Sequence, residues 1–383
     1  MLYDIICPLC MKRYPANNVV FRHSDAGLRA AGRDLKEYRV PDVYRQAYNA
    51  NHAIPVSNAV DLKVVDPAYF PEEDKAYTDG LLTALRCGEG YSMSERICPF
   101  CHNKLYAGAG SMPMQQMAII GGSNSGKTTF EAAMIYQLTN SGIGCINNTL
   151  NDKGGIDASV ENNINILLRG SQQRLEKLQQ GGVPEWSATE NYHGPYIFQI
   201  SPGQGSVPFA LAFYDLPGEQ FKNNITMVQR RAPYIATAKT CLCLVDLNDI
   251  STVTDVIAAL SSHFGQEMKA NGVNLALVLY KADLLSQAVD GITKVVTPMR
   301  IGTGMPVDMN QIEFASKQLE QFVVKKEGRL MGAYNAICSL LGAENVRLFI
   351  AQSFDENGNF DPRGCEVPLL WSLARQGIYP HCG

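Results

Sequence analysis

The run Gly121-Gly122-Ser123-Asn124-Ser125-Gly126-Lys127-Thr128 satisfies G-x-x-x-x-G-K-[ST]. It follows the short apolar stretch Met117-Ala118-Ile119-Ile120 and precedes a segment, residues 129–139, that reads as a helix. A glycine-rich turn between a strand and a helix points backbone N–H groups at one spot and places the positive end of the helix dipole behind them. Such a loop, with the N–H groups from Gly121 to Thr129, suits phosphate; Lys127 can reach the β- and γ-phosphates and the Thr128 hydroxyl a Mg²⁺ ion. The alternative is a Gly/Ser turn that happens to precede Lys-Thr, and the strand before and helix after it weigh against accident.

Composition permits an enzyme-sized reading. A chain of 383 residues, 46% hydrophobic, can bury a large core and has room for two domains. The formal charge of -4 argues against a broad nucleic-acid-binding face. No apolar run approaches the roughly 18 residues of a membrane span. Met1-Leu2-Tyr3-Asp4 lacks the basic start and apolar core of a signal peptide. The 11 cysteines are sparse for this length, and a reducing, cytoplasmic setting is the expectation.

Four cysteines fall in two matching pairs, Cys7-Pro8-Leu9-Cys10 and Cys98-Pro99-Phe100-Cys101. Each two-residue gap lets both thiolates of a knuckle face one ion, and two knuckles supply the tetrahedral sulfur set that Zn²⁺ favours. A redox dithiol and ordinary unligated cysteines are the alternatives. His23, His52 and His102 can each enter a different ligand set, but four cysteines already close the shell, which leaves no position for a substrate. The interval 11–97 reads as an insertion with helical segments at 27–38 and 74–87. A module at 1–110 is therefore expected ahead of a second domain at 111–383, with the small residues and proline of 108–113 at the boundary.

Downstream, strand and helix patterns alternate. Ile156, Val160, Ile164, Leu168, Leu175 and Leu178 recur at near-helical spacing, and Tyr196, Phe198, Ile200 and Val207, Phe209, Leu211, Phe213 alternate on either side of a turn at Pro202-Gly203-Gln204-Gly205. Further strands are predicted at 240–246, 275–280 and 346–351, with helices at 251–270 and 312–341, the latter broken near Gly328. The pattern is that of an α/β nucleotide fold with a mostly parallel sheet.

Three motifs in order, the loop at 121–128, Asp215-Leu216-Pro217-Gly218 and Tyr280-Lys281-Ala282-Asp283, resemble the translation-factor and Ras-like clade of P-loop GTPases over roughly residues 114–376. The resemblance implies GTP as substrate and Mg²⁺ as cofactor. Asp215 then holds Mg²⁺ through water, the Gly218 N–H senses the γ-phosphate, Asp283 accepts hydrogen bonds from guanine, and the Lys281 stem lies over the base. Ala351-Gln352-Ser353 takes the place of the family's S-A-K-like loop after the last strand, with Gln352 at the base. Switch I falls to Thr189, with Thr149, in a loop at 147–152, as the alternative; capping roles for both hydroxyls stay open.

The departures matter. Tyr280 stands where the family has Asn or Thr, which removes a polar link bracing the loops around the base and weakens guanine selectivity. Glu219 stands where Ras-like enzymes carry a water-positioning Gln, and Gln220 is next in line. Slow intrinsic hydrolysis and a protein effector or activating partner are the expectations. Arg230-Arg231 reads as solvated helix charge rather than an arginine finger. The paired cysteines ahead of a Ras-like domain also resemble the double-GTPase proteins of bacterial conflict systems, which implies a switch in defence or stress sensing.

Overall fold

The computed structural model describes residues 1–24, 39–40, 62–87, 91–122, 125–140, 146–149, 195–200, 207–215, 232–246, 250–281, 308–326, 328–355 and 357–378. The chain forms two compact units, Met1–Met114 with Asn191–Ile197 and Gln115–Glu190 with Phe198–Gly383.

The first unit is built of short antiparallel strands. β1 (Ile5–Ile6) pairs with β2 (Arg13–Tyr14). β3 (Val20–Ser24), β4 (Arg39–Val40), β5 (Leu62–Val65) and β9 (Arg96–Ile97) form a sheet in the order β4-β5-β3-β9, and β6 (Lys75–Thr78), β7 (Leu81–Arg86) and β8 (Ser92–Met93) form another. The helix predicted at 74–87 is thus a hairpin. Leu81, Leu82 and Leu85 mimic helical spacing, but Asp79 and Gly80 both take positive φ, 50° and 82°, the conformation that an Asp-Gly hairpin turn demands. Asn17 fastens the turn, donating to the Gly80 carbonyl and accepting from the Leu82 N–H. The predicted helix at 27–38 lies outside the described residues.

The second unit carries an eight-stranded sheet. Its strands are β10 (Met114–Gly121), β11 (Ile146–Thr149), β12 (Tyr196–Ile200), β13 (Phe209–Asp215), β14 (Thr240–Asp246), β15 (Asn274–Tyr280), β16 (Val346–Phe354) and β17 (Phe360–Arg363), in the order β11-β12-β13-β10-β14-β15-β16-β17. β10, β14, β15 and β16 are parallel neighbours. The β11–β12 and β16–β17 pairs are antiparallel, so the sheet is mixed. Every residue of β15 is buried, as befits a parallel strand covered on both faces and written as a continuous apolar run.

Among the described residues the α-helices are α1 (Lys127–Asn140), α2 (Tyr234–Thr237), α3 (Ile250–His263), α4 (Gly265–Ala270), α5 (Met309–Lys326), α6 (Gly328–Leu341) and α7 (Val367–Arg375). The single helix expected at 251–270 is interrupted at Phe264. α7 lies on the sheet, burying Trp371 completely against Phe349 at 5.4 Å between ring centroids; burial of a side chain of this size contributes on the order of 3 kcal/mol. Ser372 fixes its far end through a 2.7 Å hydroxyl pair with Thr240.

Two boundaries change the reading of the site. Thr149 is the last residue of β11, paired opposite Phe198, and not part of a loop. β16 runs on to Phe354, so Ala351-Gln352-Ser353 lies within the last parallel strand, with Gln352 opposite Arg363 of β17. The extension exists because Asn357-Gly358 turns the chain back: Gly358 has φ 79°, and the Asp355 carboxylate accepts from the N–H groups of Asn357 and Asn359. The periodic segment at 156–178 and the turn at 202–205 lie outside the described residues.

Candidate functional site

β10 ends on Gly121 and α1 starts at Lys127, so the phosphate-type loop joins them as its sequence predicts. Two of its glycines, Gly121 and Gly126, are closely packed. A Cβ on Gly121 would lie 3.0 Å from the Leu244 carbonyl oxygen of β14 and 2.7 Å from Ser125 Oγ. Gly126 has φ 82°, and a Cβ there would lie 2.6 Å from Cε1 of Tyr280. Lys127 folds back over the loop, its Nζ donating to the carbonyls of Gly121 at 3.2 Å and Gly122 at 2.9 Å. The buried Ser125 hydroxyl has no hydrogen-bond partner among the described residues. Beneath the loop, burial pushes the Cys243 thiol of β14 up to about 12, against the opposing pull of Lys127.

The ends of β14, β15 and β16 meet beside this loop. Tyr280, the last residue of β15, is 3% exposed; its ring meets the Phe130 ring edge-on at 5.4 Å and 88°. Its hydroxyl lies 2.6 Å from Ser353 Oγ. Tyr280 thus makes a polar link of its own, to a residue further along β16. Lys281 takes φ 64°, and its Nζ pairs with Asp246 Oδ2 at 2.7 Å. Both partners fall in segments the sequence marks, Asp246 at a strand end and Ser353 in Ala351-Gln352-Ser353, but the two contacts cannot be read from it, because strand register decides them.

The structure brings Gly121, Gly122, Ser125, Gly126 and Lys127 together with Tyr280 and Lys281. Gln352 is half-buried, and its carbonyl accepts from the Cys365 thiol at 3.3 Å. Thr129 lies in the first turn of α1, and β13, which ends on Asp215, is the sheet neighbour of β10. Ser123, Asn124, Thr189, Gly218, Glu219, Gln220, Asp283 and the Arg230-Arg231 pair lie outside the described residues, as do the side chains of Thr128 and Asp215.

In the first unit Cys7, Cys10, Cys98 and Cys101 converge, all four sulfurs lying within 4.8 Å of one another. Cys7 and Cys101 are 3.6 Å apart and Cys10 and Cys98 3.7 Å. These separations are far too long for disulfides and close to the edge, about 3.8 Å, of a sulfur tetrahedron around zinc with ~2.3 Å bonds. The knuckles repeat each other. Met11 and Cys7, like His102 and Cys98, are joined N–H to carbonyl, and Cys7 and Cys98 donate in turn to the carbonyls of Lys12 and Asn103. Met11 and His102 share a positive φ, 60° and 54°. Arg22 donates to the His102 carbonyl, while Arg96 donates to those of Ala109 and Ala16. The donor set and spacing fit a closed Zn²⁺ site; among the described residues no histidine joins it.

No family model matches the chain, and no curated protein matches it either. Among solved structures, the chain is similar to the Arl6 BBS3 small GTPase from Trypanosoma brucei with a bound nucleotide analogue, at 14% identity and TM-score 0.30, over 69% of this chain and 98% of that one. It is also similar to the G domain of the T. maritima FeoB iron transporter, at 10% identity and TM-score 0.31, over 69% and 99%. For the FeoB G-domain of Methanococcus jannaschii the values are 14%, 0.28, 70% and 96%. Similarity this distant carries no inference about activity, which rests on the loop and its neighbours. Among the described residues no helix is long and apolar enough to cross a membrane.

Proposed function

We propose that this chain is a Mg²⁺-dependent GTP-binding and GTP-hydrolysing switch of the translation-factor and Ras-like kind, carrying a structural zinc module at its amino end. The observation that carries the reading is the junction of β10 and α1. There two closely packed glycines and a lysine folded over the loop support a phosphate site beside the strand end that leads into Lys281-Ala282-Asp283. Lys127 stabilises transferring phosphate charge, Thr128, Asp215 and Thr189 hold Mg²⁺, and Gly218 couples the γ-phosphate to switch movement. Asp283 and Lys281 select guanine; Gln352, at the base by resemblance, is drawn into β16.

Glu219 in place of a water-positioning Gln favours a second reading, a nucleotide-dependent interaction module with little hydrolysis of its own, unless Gln220 or a partner orients the water. An ATPase is the third. It would retain the loop but have no use for Asp283. A cytoplasmic role in bacterial defence or stress response, acting through a protein effector, follows from the likeness to double-GTPase proteins. Competition binding separates the nucleotide readings: Asp283→Asn should erode a preference for GTP over ATP. Equal affinities for both nucleotides in the parent, unchanged in the variant, reject the guanine assignment.

A further inference from the structure

Tyr280 occupies a position from which one side chain touches both halves of the candidate site. Its ring lies directly against Gly126, so closely that a methyl group there would sit 2.6 Å from Cε1 and 3.1 Å from Cδ1. Phe130, in the first turn of α1, meets the same ring. On its far side the hydroxyl bonds Ser353 at 2.6 Å. The register explains why a phenol is needed. Tyr280 pairs opposite Ala351, and Ser353, two residues further, projects from the same face of β16 roughly 7 Å along the strand. A short amide at position 280 ends level with Ala351, whereas the length of a phenol ring reaches Ser353.

We infer that Tyr280, through its hydrogen bond to Ser353, is the specificity-determining positioning residue of the site, a strut that fixes the base-side strand ends relative to the phosphate loop. This rests on the nucleotide-binding reading. Phosphate seated in the loop bears on Gly126, and Gly126 bears on the ring. The ring is rigid and 3% exposed, and it is held at its far end by Ser353. Lys281, the next residue, leaves β15 in a left-handed conformation, so its direction depends on where Tyr280 is held. The strut therefore makes discrimination between bases depend on a hydroxyl pair that joins two strand ends.

Tyr280→Phe keeps the ring against Gly126 and Phe130 and removes only the hydroxyl; Ser353→Ala removes the other partner and leaves the ring untouched, so either variant suffices if one fails to fold. Equilibrium titration with GTP and with ATP, both with Mg²⁺, is run on the full chain, the two variants and the double variant. The inference predicts that each single variant loses about 3- to 10-fold in GTP affinity, the size of one hydrogen bond, with less than twofold change for ATP. The double variant should equal a single one. Additive losses in the double variant, or equal losses for GTP and ATP, overturn the strut and leave the nucleotide reading standing. A parent chain that binds neither nucleotide overturns both.

Discussion

Lys281 Nζ lies 2.7 Å from Asp246 Oδ2, joining the end of β15 to the end of β14 beside the phosphate loop. The lysine side chain is 30% exposed and the aspartate 15%, so the pair is partly screened and contributes on the order of 1 kcal/mol to stability at most. Its effect falls on the direction of Lys281, whose Cε runs 3.8 Å from where a Cβ of Gly126 would be. Asp246→Asn should therefore shift the melting temperature by only a few degrees while weakening GTP binding several-fold, more so at low salt than at high. Unaltered affinity at both salt concentrations would show that Lys281 needs no counter-ion.

Gly126 combines φ 82° with the Tyr280 ring at its back. An alanine there meets the left-handed penalty of about 1 kcal/mol and a 2.6 Å approach to a side chain that is itself buried. Gly126→Ala should lower the melting temperature and cut nucleotide affinity by more than tenfold. Wild-type affinity in that variant would mean that the loop and ring are not in contact in solution.

The readable parts of the fold are the strands buried on both faces. β14 and β15 are apolar almost throughout, and their boundaries come directly from runs such as Leu275-Ala276-Leu277-Val278-Leu279. Two readings change at a turn dipeptide, one made from periodicity and one from resemblance. Asp79-Gly80 makes a hairpin of leucines spaced like a helix, and Asn357-Gly358 folds β17 onto β16, which draws Gln352 and Ser353 into a strand. The phosphate loop was legible because its chemistry is contiguous in the chain. The Tyr280–Ser353 and Lys281–Asp246 contacts were not, since each joins neighbouring strands and depends on register.

Glu366, at the start of α7, is 2% exposed, and its Oε2 has no hydrogen-bond partner among the described residues. Burial pushes its carboxyl up from 4.5 to about 7. For a carboxyl raised in the folded state, the native protein is penalised as pH rises from the unfolded value through the folded one, and the penalty is complete above it. Glu366→Gln should thus gain stability relative to the parent between about pH 4.5 and 7 and hold that gain above, by on the order of 3 kcal/mol. Denaturant unfolding across this range checks it; parallel pH profiles for parent and variant would contradict it.

For the amino-terminal unit, replacing Cys98 and Cys101 with Ser should abolish binding of one equivalent of zinc and raise protease sensitivity there, because the two knuckles clasp segments far apart in the chain. Nucleotide binding should remain measurable. Metal analysis with limited proteolysis decides: a full equivalent of zinc in the variant rejects the ligand set, and lost zinc with unchanged proteolysis removes its structural role.

If the loop from Gly121 to Thr128 holds the phosphates of GTP, titration of the purified chain with GTP and Mg²⁺, alongside Lys127→Ala, will show it. Saturable one-to-one binding in the parent, competed poorly by ATP and weakened at least tenfold in a Lys127→Ala protein of unchanged melting temperature, is the predicted result. Binding of equal strength in parent and variant, or none in the parent, would contradict it.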